Sequence, residues 1–220
     1  MKTRKIKVLF AFISLCSFAI AGNTEEFGSV KLPKAKGDDG GKCFDESTRL
    51  INVGLGLGST YFSVLGGYTV SRTPSFSISY EQPWPKRIGP GYLGVGGYLG
   101  YQNARYTNNY SSNGNAYYYE HSWNYMMVAG RAMYHWDVLN SGKAEVYGGT
   151  IVGVRIQTYN YTTNNTGPNK NDYRYSAGGG IYPTISMVAG ARWYFTEKIA
   201  VYGEAGSGIS YLTAGLTFKL

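Results

Sequence analysis

The chain has 220 residues, 21 of them basic and 13 acidic, with 31 glycines, 22 tyrosines, two cysteines and two histidines. That length suits a single domain, and the cysteine count excludes a disulfide-built scaffold. The formal charge of +8 does not indicate a nucleic-acid partner: four basic residues lie within the first seven positions, and the rest of the chain has 17 basic against 13 acidic side chains, a net +4.

Those four, Lys2, Arg4, Lys5 and Lys7, precede a short apolar run at 8–19 and the small-residue sequence Ala19-Ile20-Ala21. The order predicts a signal peptide over 1–21, cleaved before Gly22. The run falls short of the ~20 residues that an anchoring helix requires. Leu15 occupies the place where a lipidated Cys16 would follow a small residue, so lipidation is not expected. Residues 22–48 are rich in Gly, Lys, Asp and Glu without periodicity and read as a flexible periplasmic leader. Cys43, the one cysteine left after cleavage, reads as incidental and rules out an internal disulfide.

From residue 49 onward the dominant signal is alternation with period 2, the mark of strands with two unlike faces. Eight segments show it. Ile51, Val53, Leu55 and Leu57 alternate with Asn52, Gly54 and Gly56; Phe76, Ile78 and Tyr80 with Ser75, Ser77, Ser79 and Glu81. Leu93, Val95, Leu99 and Tyr101 stand opposite Tyr92, Tyr98 and Gln102; Met126, Val128, Ala132 and Tyr134 opposite Tyr125, Met127, Arg131 and His135. Val146, Val152, Val154 and Ile156 oppose Glu145, Tyr147, Arg155 and Gln157, and Ile185, Met187, Ala189, Ala191, Trp193 and Phe195 oppose Thr184, Ser186, Arg192 and Tyr194. Ile199 and Val201 oppose Tyr202 and Glu204. Last, over 209–220, Ser210, Leu212, Ala214, Leu216, Phe218 and Leu220 oppose Tyr211, Thr213, Gly215, Thr217 and Lys219. Eleven or twelve alternating residues match the ~9–11 that a tilted strand needs to cross a membrane.

Charge placement sharpens this. Glu81, Arg131, Glu145, Arg155, Arg192, Glu204 and Lys219 all fall on the polar faces. A charge on a lipid-facing surface near mid-membrane costs ~2–4 kcal/mol, which this distribution avoids. Connections near 59–73, 104–122 and 159–177 are long, while those near 82–90, 137–142 and 196–198 are short. Such asymmetry separates outside loops from periplasmic turns. Tyr80, Trp84, Tyr134, Trp136, Trp193, Phe195 and Phe218 close the inward-running strands and are expected to form a periplasmic aromatic girdle. Met127-Val128-Ala129-Gly130 repeats at Met187-Val188-Ala189-Gly190, and Val146-Tyr147-Gly148 at Val201-Tyr202-Gly203, which suggests a duplicated hairpin. The faces assigned to Val128 and Val188 conflict in such a repeat, and a bulge or one-residue slip would reconcile them.

Together the signal, the eight strands and the closing segment with Phe218-Lys219-Leu220 resemble the small outer-membrane β-barrels of Gram-negative bacteria, the OmpA/OmpX-like superfamily, over 49–220. Family members usually carry the aromatic at the last position; here it is third from the end. The resemblance implies an all-β, eight-stranded antiparallel up-and-down transmembrane barrel in the Gram-negative outer membrane. It also implies outer-membrane lipids and the barrel insertion machinery as partners, and a monomer.

Chemistry is sparse. His121-Ser122 is the one adjacent His–Ser pair of the kind that barrel-borne lipid A deacylases or acyltransferases would need, but strand neighbours face opposite ways. No cofactor is expected and no His or Cys spacing suits a metal. Gly54, Gly56 and Gly58 lack the helix and Lys-Ser/Thr pair of a phosphate loop. Eight strands enclose room for side chains rather than a wide channel. Glu81, Arg131, Glu145, Arg155, Arg192 and Glu204 are therefore expected to pair inside a filled lumen, with inward tyrosines including Tyr211. The loops at 104–122 and 159–177 are dense in Tyr and Asn, as binding loops are, and Tyr110, Tyr118, Tyr119, Tyr161 and Tyr173 are candidate contacts for an extracellular ligand. Solvated strand extensions are the plainer account of the same composition. The expected role is structural or surface-interacting and not enzymatic; a lipid-modifying enzyme or a small-solute pore are the alternatives.

Overall fold

The computed structural model describes residues 42–60, 70–112, 114–136, 142–168, 171 and 179–220. The signal and most of the leader lie outside them. Nine strands follow in order: β1 Leu50–Leu57, β2 Ser71–Arg72, β3 Ser75–Pro83, β4 Gly91–Ser112, β5 Asn115–Trp136, β6 Ala144–Thr163, β7 Gly180–Tyr194, β8 Ile199–Gly206 and β9 Leu212–Lys219. Every pairing is antiparallel, and the order β4-β3-β1-β9-β8-β7-β6-β5 returns from β5 to β4. Eight strands thus close an up-and-down ring. The two residues of β2 add to β4 through Ser71 opposite Arg105.

Closure falls to the last strand, as the sequence suggests. β9 pairs on one side with β8 and on the other with β1, from Leu50 opposite Lys219 to Leu57 opposite Leu212. The Leu220 amide donates to the Arg49 carbonyl at 2.9 Å, extending the seam by one bond. Closing the ring leaves no barrel edge unpaired, the condition for a sheet to stand in hydrocarbon.

The wall is inverted relative to a soluble fold. Leu55 is 62% and Ile185 70% exposed, and Ile78, Leu99, Val128, Val152, Val201 and Leu216 give every remaining strand of the ring an exposed apolar residue. Glu81 and Arg192, at 0% and 2%, lie inside with Asn52, Ser75, Ser77, Ser79, Arg131, Glu145 and Thr217. A continuous apolar exterior around a polar interior suits lipid outside. The outer face turns polar at one level, where Asn103, Asn124 and Thr158 stand in register across β4, β5 and β6. Asn124 accepts from the Tyr101 hydroxyl at 2.8 Å and donates to Thr158 Oγ1 at 3.3 Å.

Four expectations need correction. The closing strand begins at Leu212, not 209: residues 207–211 are bends, held by the Gly206 amide donating to the Tyr211 carbonyl at 2.9 Å. Alternation does not extend through a reversal, so Ile209 and Ser210 are buried and Tyr211 faces out rather than into the lumen. The stretch 104–122 is not a loop. β4 and β5, 22 residues each, pair along their whole length, and Gly114, with φ +77° in the left-handed region, turns the chain between them. No bulge or slip separates the two Met-Val-Ala-Gly copies, because the ladders of β5 through β8 run without interruption. Val128 faces out and Val188 in. The spacing to the following Val-Tyr-Gly is 19 residues in one copy and 14 in the other, an odd difference that must exchange the faces.

The fourth concerns the leader. Residues 42–48, assigned to a flexible segment, sit in the barrel mouth. Cys43 is buried with Tyr194 and Ala200, and Phe44 with Leu50 and Tyr92. Lys219 Nζ donates to the Cys43 carbonyl at 3.3 Å. Asp45 Oδ1 accepts from the Ser47 amide at 2.9 Å and from the Thr48 hydroxyl at 2.8 Å, folding the turn that leads into β1. Burial works against the Asp45 carboxylate, but these bonds outweigh it and hold its pKa below the usual range.

Candidate functional site: a filled lumen and a projecting aromatic sheet

Inward-facing charges from five strands meet in the lumen. Glu81 on β3 accepts from Arg131 Nε at 3.1 Å and Asn52 Nδ2 at 2.8 Å, with His135 Nε2 also at 3.1 Å. Glu204 on β8 receives Arg131 Nη1 at 3.2 Å and the Tyr147 hydroxyl at 2.9 Å. Glu145 on β6 pairs with Arg192 Nη1, and Arg192 donates through Nε to Thr217 at 2.9 Å and through Nη2 to Asn52 at 3.1 Å. The Tyr147 ring lies 4.7 Å from the Arg192 guanidinium and 5.9 Å from that of Arg131. Each buried charge thus faces an opposite one, which limits its desolvation cost.

Of the six charges proposed from sequence, five join this network. Arg155 does not: it stands over the Tyr182 ring at 4.7 Å, toward the other end of the barrel. His135, on the same polar face as Arg131, joins the network as well. Its Nε2 faces Glu81, its Nδ1 lies 3.5 Å from Glu145, and the Phe44 ring stacks on it at 3.8 Å with a 3° interplanar angle. Its parity with Arg131 was visible; the plug that covers it was not. Apolar side chains fill further volume, with Tyr98, Met127, Met133, Tyr147, Ile151, Val188 and Ile209 in one buried cluster.

The aromatic residues proposed as a girdle occupy one rim. Tyr80 and Phe218 both pair with Ile51, Phe218 with Ile199, Trp136 with Val146 and Trp193 with Val201. Tyr134 meets Trp136 edge-on at 5.1 Å, and its hydroxyl donates to the Ile88 carbonyl at 2.6 Å. Trp84 and Phe195 are exposed on the same rim.

At the opposite end β4, β5 and β6 continue past the Asn103–Asn124–Thr158 level as a three-stranded sheet. Nine further β4–β5 pairs, 104–112, reach about 30 Å at ~3.4 Å per residue. Alternation puts Tyr106, Tyr110, Tyr117, Tyr119, His121, Trp123, Tyr159 and Tyr161 on the face continuous with the lumen. His121 is their centre: its ring lies 5.3–6.0 Å from those of Tyr161, Tyr119, Trp123, Tyr159 and Tyr106. Its Nδ1 is 2.7 Å from the Tyr159 hydroxyl. Burial lowers the His121 pKa below its ordinary value, favouring the neutral ring. Asn108 Nδ2 donates to the Tyr119 hydroxyl at 2.7 Å and Asn165 Nδ2 to that of Tyr110 at 3.2 Å. Among the proposed contacts, Tyr110, Tyr119 and Tyr161 join this face; Tyr118 is exposed on the other, and Tyr173 lies outside the described residues. Ser122 points away from His121 and accepts from Asn103 Nδ2 at 3.1 Å, so the pair makes no nucleophile–base contact.

The wall is that of a small transmembrane β-barrel. No protein-family model and no curated protein matches the chain. Among solved structures, it is similar to the outer membrane protein OprG from Pseudomonas aeruginosa, at 11% identity and a TM-score of 0.39 over 83% of this chain and 99% of that one. It is also similar to Ail, the attachment invasion locus protein of Yersinia pestis, at 9% identity and 0.36 over 78% and 93%. A de novo designed transmembrane β-barrel aligns at 16% identity and 0.38 over 80% and 98%. At these scores the functional reading rests on this chain's own residues.

Proposed function

We propose that this chain is an integral outer-membrane protein, exported by the signal at 1–21, whose lumen is structural and whose projecting sheet makes surface interactions outside the cell. The observation that carries the reading is the contrast between the two ends. One is closed by the charge network and residues 42–48; the other extends a sheet with eight aromatic residues on one face. Tyrosine offers rigid contact area with a polar tip, and among the described residues the face has no Asp, Glu, Lys or Arg to desolvate. The insertion machinery would recognise β9, and outer-membrane lipids would surround the belt. The chain acts as a monomer.

The test compares bacteria displaying the wild-type protein with Tyr110→Ala/Tyr119→Ala and Tyr118→Ala variants, on immobilised polysaccharides and extracellular-matrix proteins. Binding that falls about tenfold in the first variant but not the second, at equal outer-membrane content, supports the reading; ~1.4 kcal/mol of lost contact suffices. Equal binding by all three, or ion conductance by the purified wild-type barrel in a planar bilayer, overturns it.

A further inference from the structure

The outer wall contains a cavity of about 360 Å³ lined by Ile51, Ile78, Tyr80, Gly97, Leu99 and Val128, among others. Its floor comes from sequence and register together. Gly97 pairs with Gly130 on β5 and with Tyr80 on β3, and both glycines are exposed; Gly97 lines the cavity and Gly130 stands next to it. Two neighbouring lipid-facing positions thus lack side chains, while Leu99 and Val128 stand beside them. Tyr80 does not fill the gap: its hydroxyl donates to Gln82 Oε1 at 3.2 Å, so the ring leans along its own strand.

Neither the backbone nor the packing of the wall calls for these glycines. Neither is among the positive-φ glycines, which among the described residues are Gly58, Gly89 and Gly114. A Cβ on Gly97 would meet nothing within 4 Å, and one on Gly130 only carbonyl oxygens at 3.7 and 4.0 Å. Inward Gly96 is the opposite case, since its Cβ would collide with the Tyr80 backbone. Glycine weakens a strand and commonly marks the close approach of another group.

We infer that the cavity at Gly97 is a seat for one acyl chain of a membrane phospholipid. The seat rests on the membrane reading above and is continuous with the lipid-facing belt, so hydrocarbon is the material at its mouth. The side chains named above are uncharged. Its volume lies within the ~300–1,000 Å³ range of small-molecule sites. It holds about a dozen methylenes if each occupies close to the ~30 Å³ of a water molecule. Because it opens beside Tyr80 at the aromatic rim, the headgroup would rest at the interface while the chain runs up past Leu99 and Val128.

The test uses the full mature chain folded into phosphatidylethanolamine–phosphatidylglycerol vesicles that contain a phospholipid with a mid-chain diazirine. After irradiation, adducts are mapped by peptide mass spectrometry. The seat predicts adducts concentrated on the peptides carrying 97–99 and 128–130 relative to the β7–β8 wall. Gly97→Leu fills the space without a clash and should lower them about tenfold. Gly203→Leu is the matched control, because a Cβ there also meets nothing within 4 Å; it should leave them unchanged. Circular dichroism and heat-modifiable gel mobility verify that each variant folds. Adducts spread evenly around the wall, or unchanged in Gly97→Leu, overturn the seat while preserving the membrane reading. Absence of wall adducts from the folded wild type overturns both.

Discussion

Glu81→Gln is the sharpest probe of the lumen, because it changes charge with little change in shape. Glu81 touches Arg131 at 3.1 Å, His135 at 3.1 Å and Asn52 at 2.8 Å, and Arg192 lies 3.8 Å away. Counting an imidazolium at His135, three carboxylates (Glu81, Glu145, Glu204) meet three cations. The amide removes one negative charge and leaves two carboxylates, Glu145 and Glu204, to balance three buried cations. Breaking a buried pair from one side costs about 3–5 kcal/mol. Adding His135→Gln restores the count, leaving Glu204 with Arg131 and Glu145 with Arg192, so part of the loss should return. The coupling between residues in one network is typically ~0.5–3 kcal/mol. Urea titration of the folded barrel in lipid, followed by tryptophan fluorescence and gel mobility, measures both. A single variant within about 1 kcal/mol of wild type, or a double variant showing the full sum of two losses, would refute the balanced network.

Further outcomes follow from other parts of the fold. Phe44→Ala should destabilise the barrel by about 3 kcal/mol, since it removes a buried ring stacked on His135; urea midpoints read this. Cys43, the only thiol once residues 1–21 are removed as proposed, should resist maleimide in the folded protein and react completely in denaturant; rapid labelling of the folded state would mean that residues 42–48 do not plug the mouth. For His121 the folded pKa is lowered, so its contribution is complete above the unfolded value of ~6.5 and declines as pH falls below it. Near-ultraviolet circular dichroism of the aromatic sheet should therefore hold through about pH 6.5 and weaken only at lower pH, where the ring protonates in the folded state, and His121→Phe should remove that dependence. Leu216→Arg puts a charge on the lipid face of β9 and should cost ~2–4 kcal/mol of folding into vesicles; a Leu216→Arg barrel as stable as wild type would contradict the membrane-facing assignment.

Side-chain direction was legible because it is local: two residues along a strand return to the same face whatever surrounds it. This is why the apolar exterior could be read from Ile51, Ile78, Leu99, Val128, Val152, Ile185, Val201 and Leu216 before any pairing was known, and why Met127 and Met187 could be placed on opposite faces despite their matching neighbours. The rule fails where the strand stops, as at Tyr211, whose face was extrapolated through a bend. Composition likewise suggested a loop at 104–122, because Tyr and Asn suit loops and exposed strands alike; only the unbroken β4–β5 register decides between them.

The amino-acid sequence by itself determined that this chain makes amphipathic strands with every membrane-level charge turned one way. Tertiary structure alone decided which charges meet. Arg131 reaches Glu81 and Glu204 across 50 and 73 positions of chain, and Arg192 reaches Asn52 across 140. Such pairings depend on the register of several ladders at once, and no local pattern records it. The same is true of Phe44, which belongs to a segment without periodicity and acquires its place only when ring closure creates a mouth for it to fill. It is true also of Gly97 and Gly130, 33 positions apart in the sequence and neighbours in the wall.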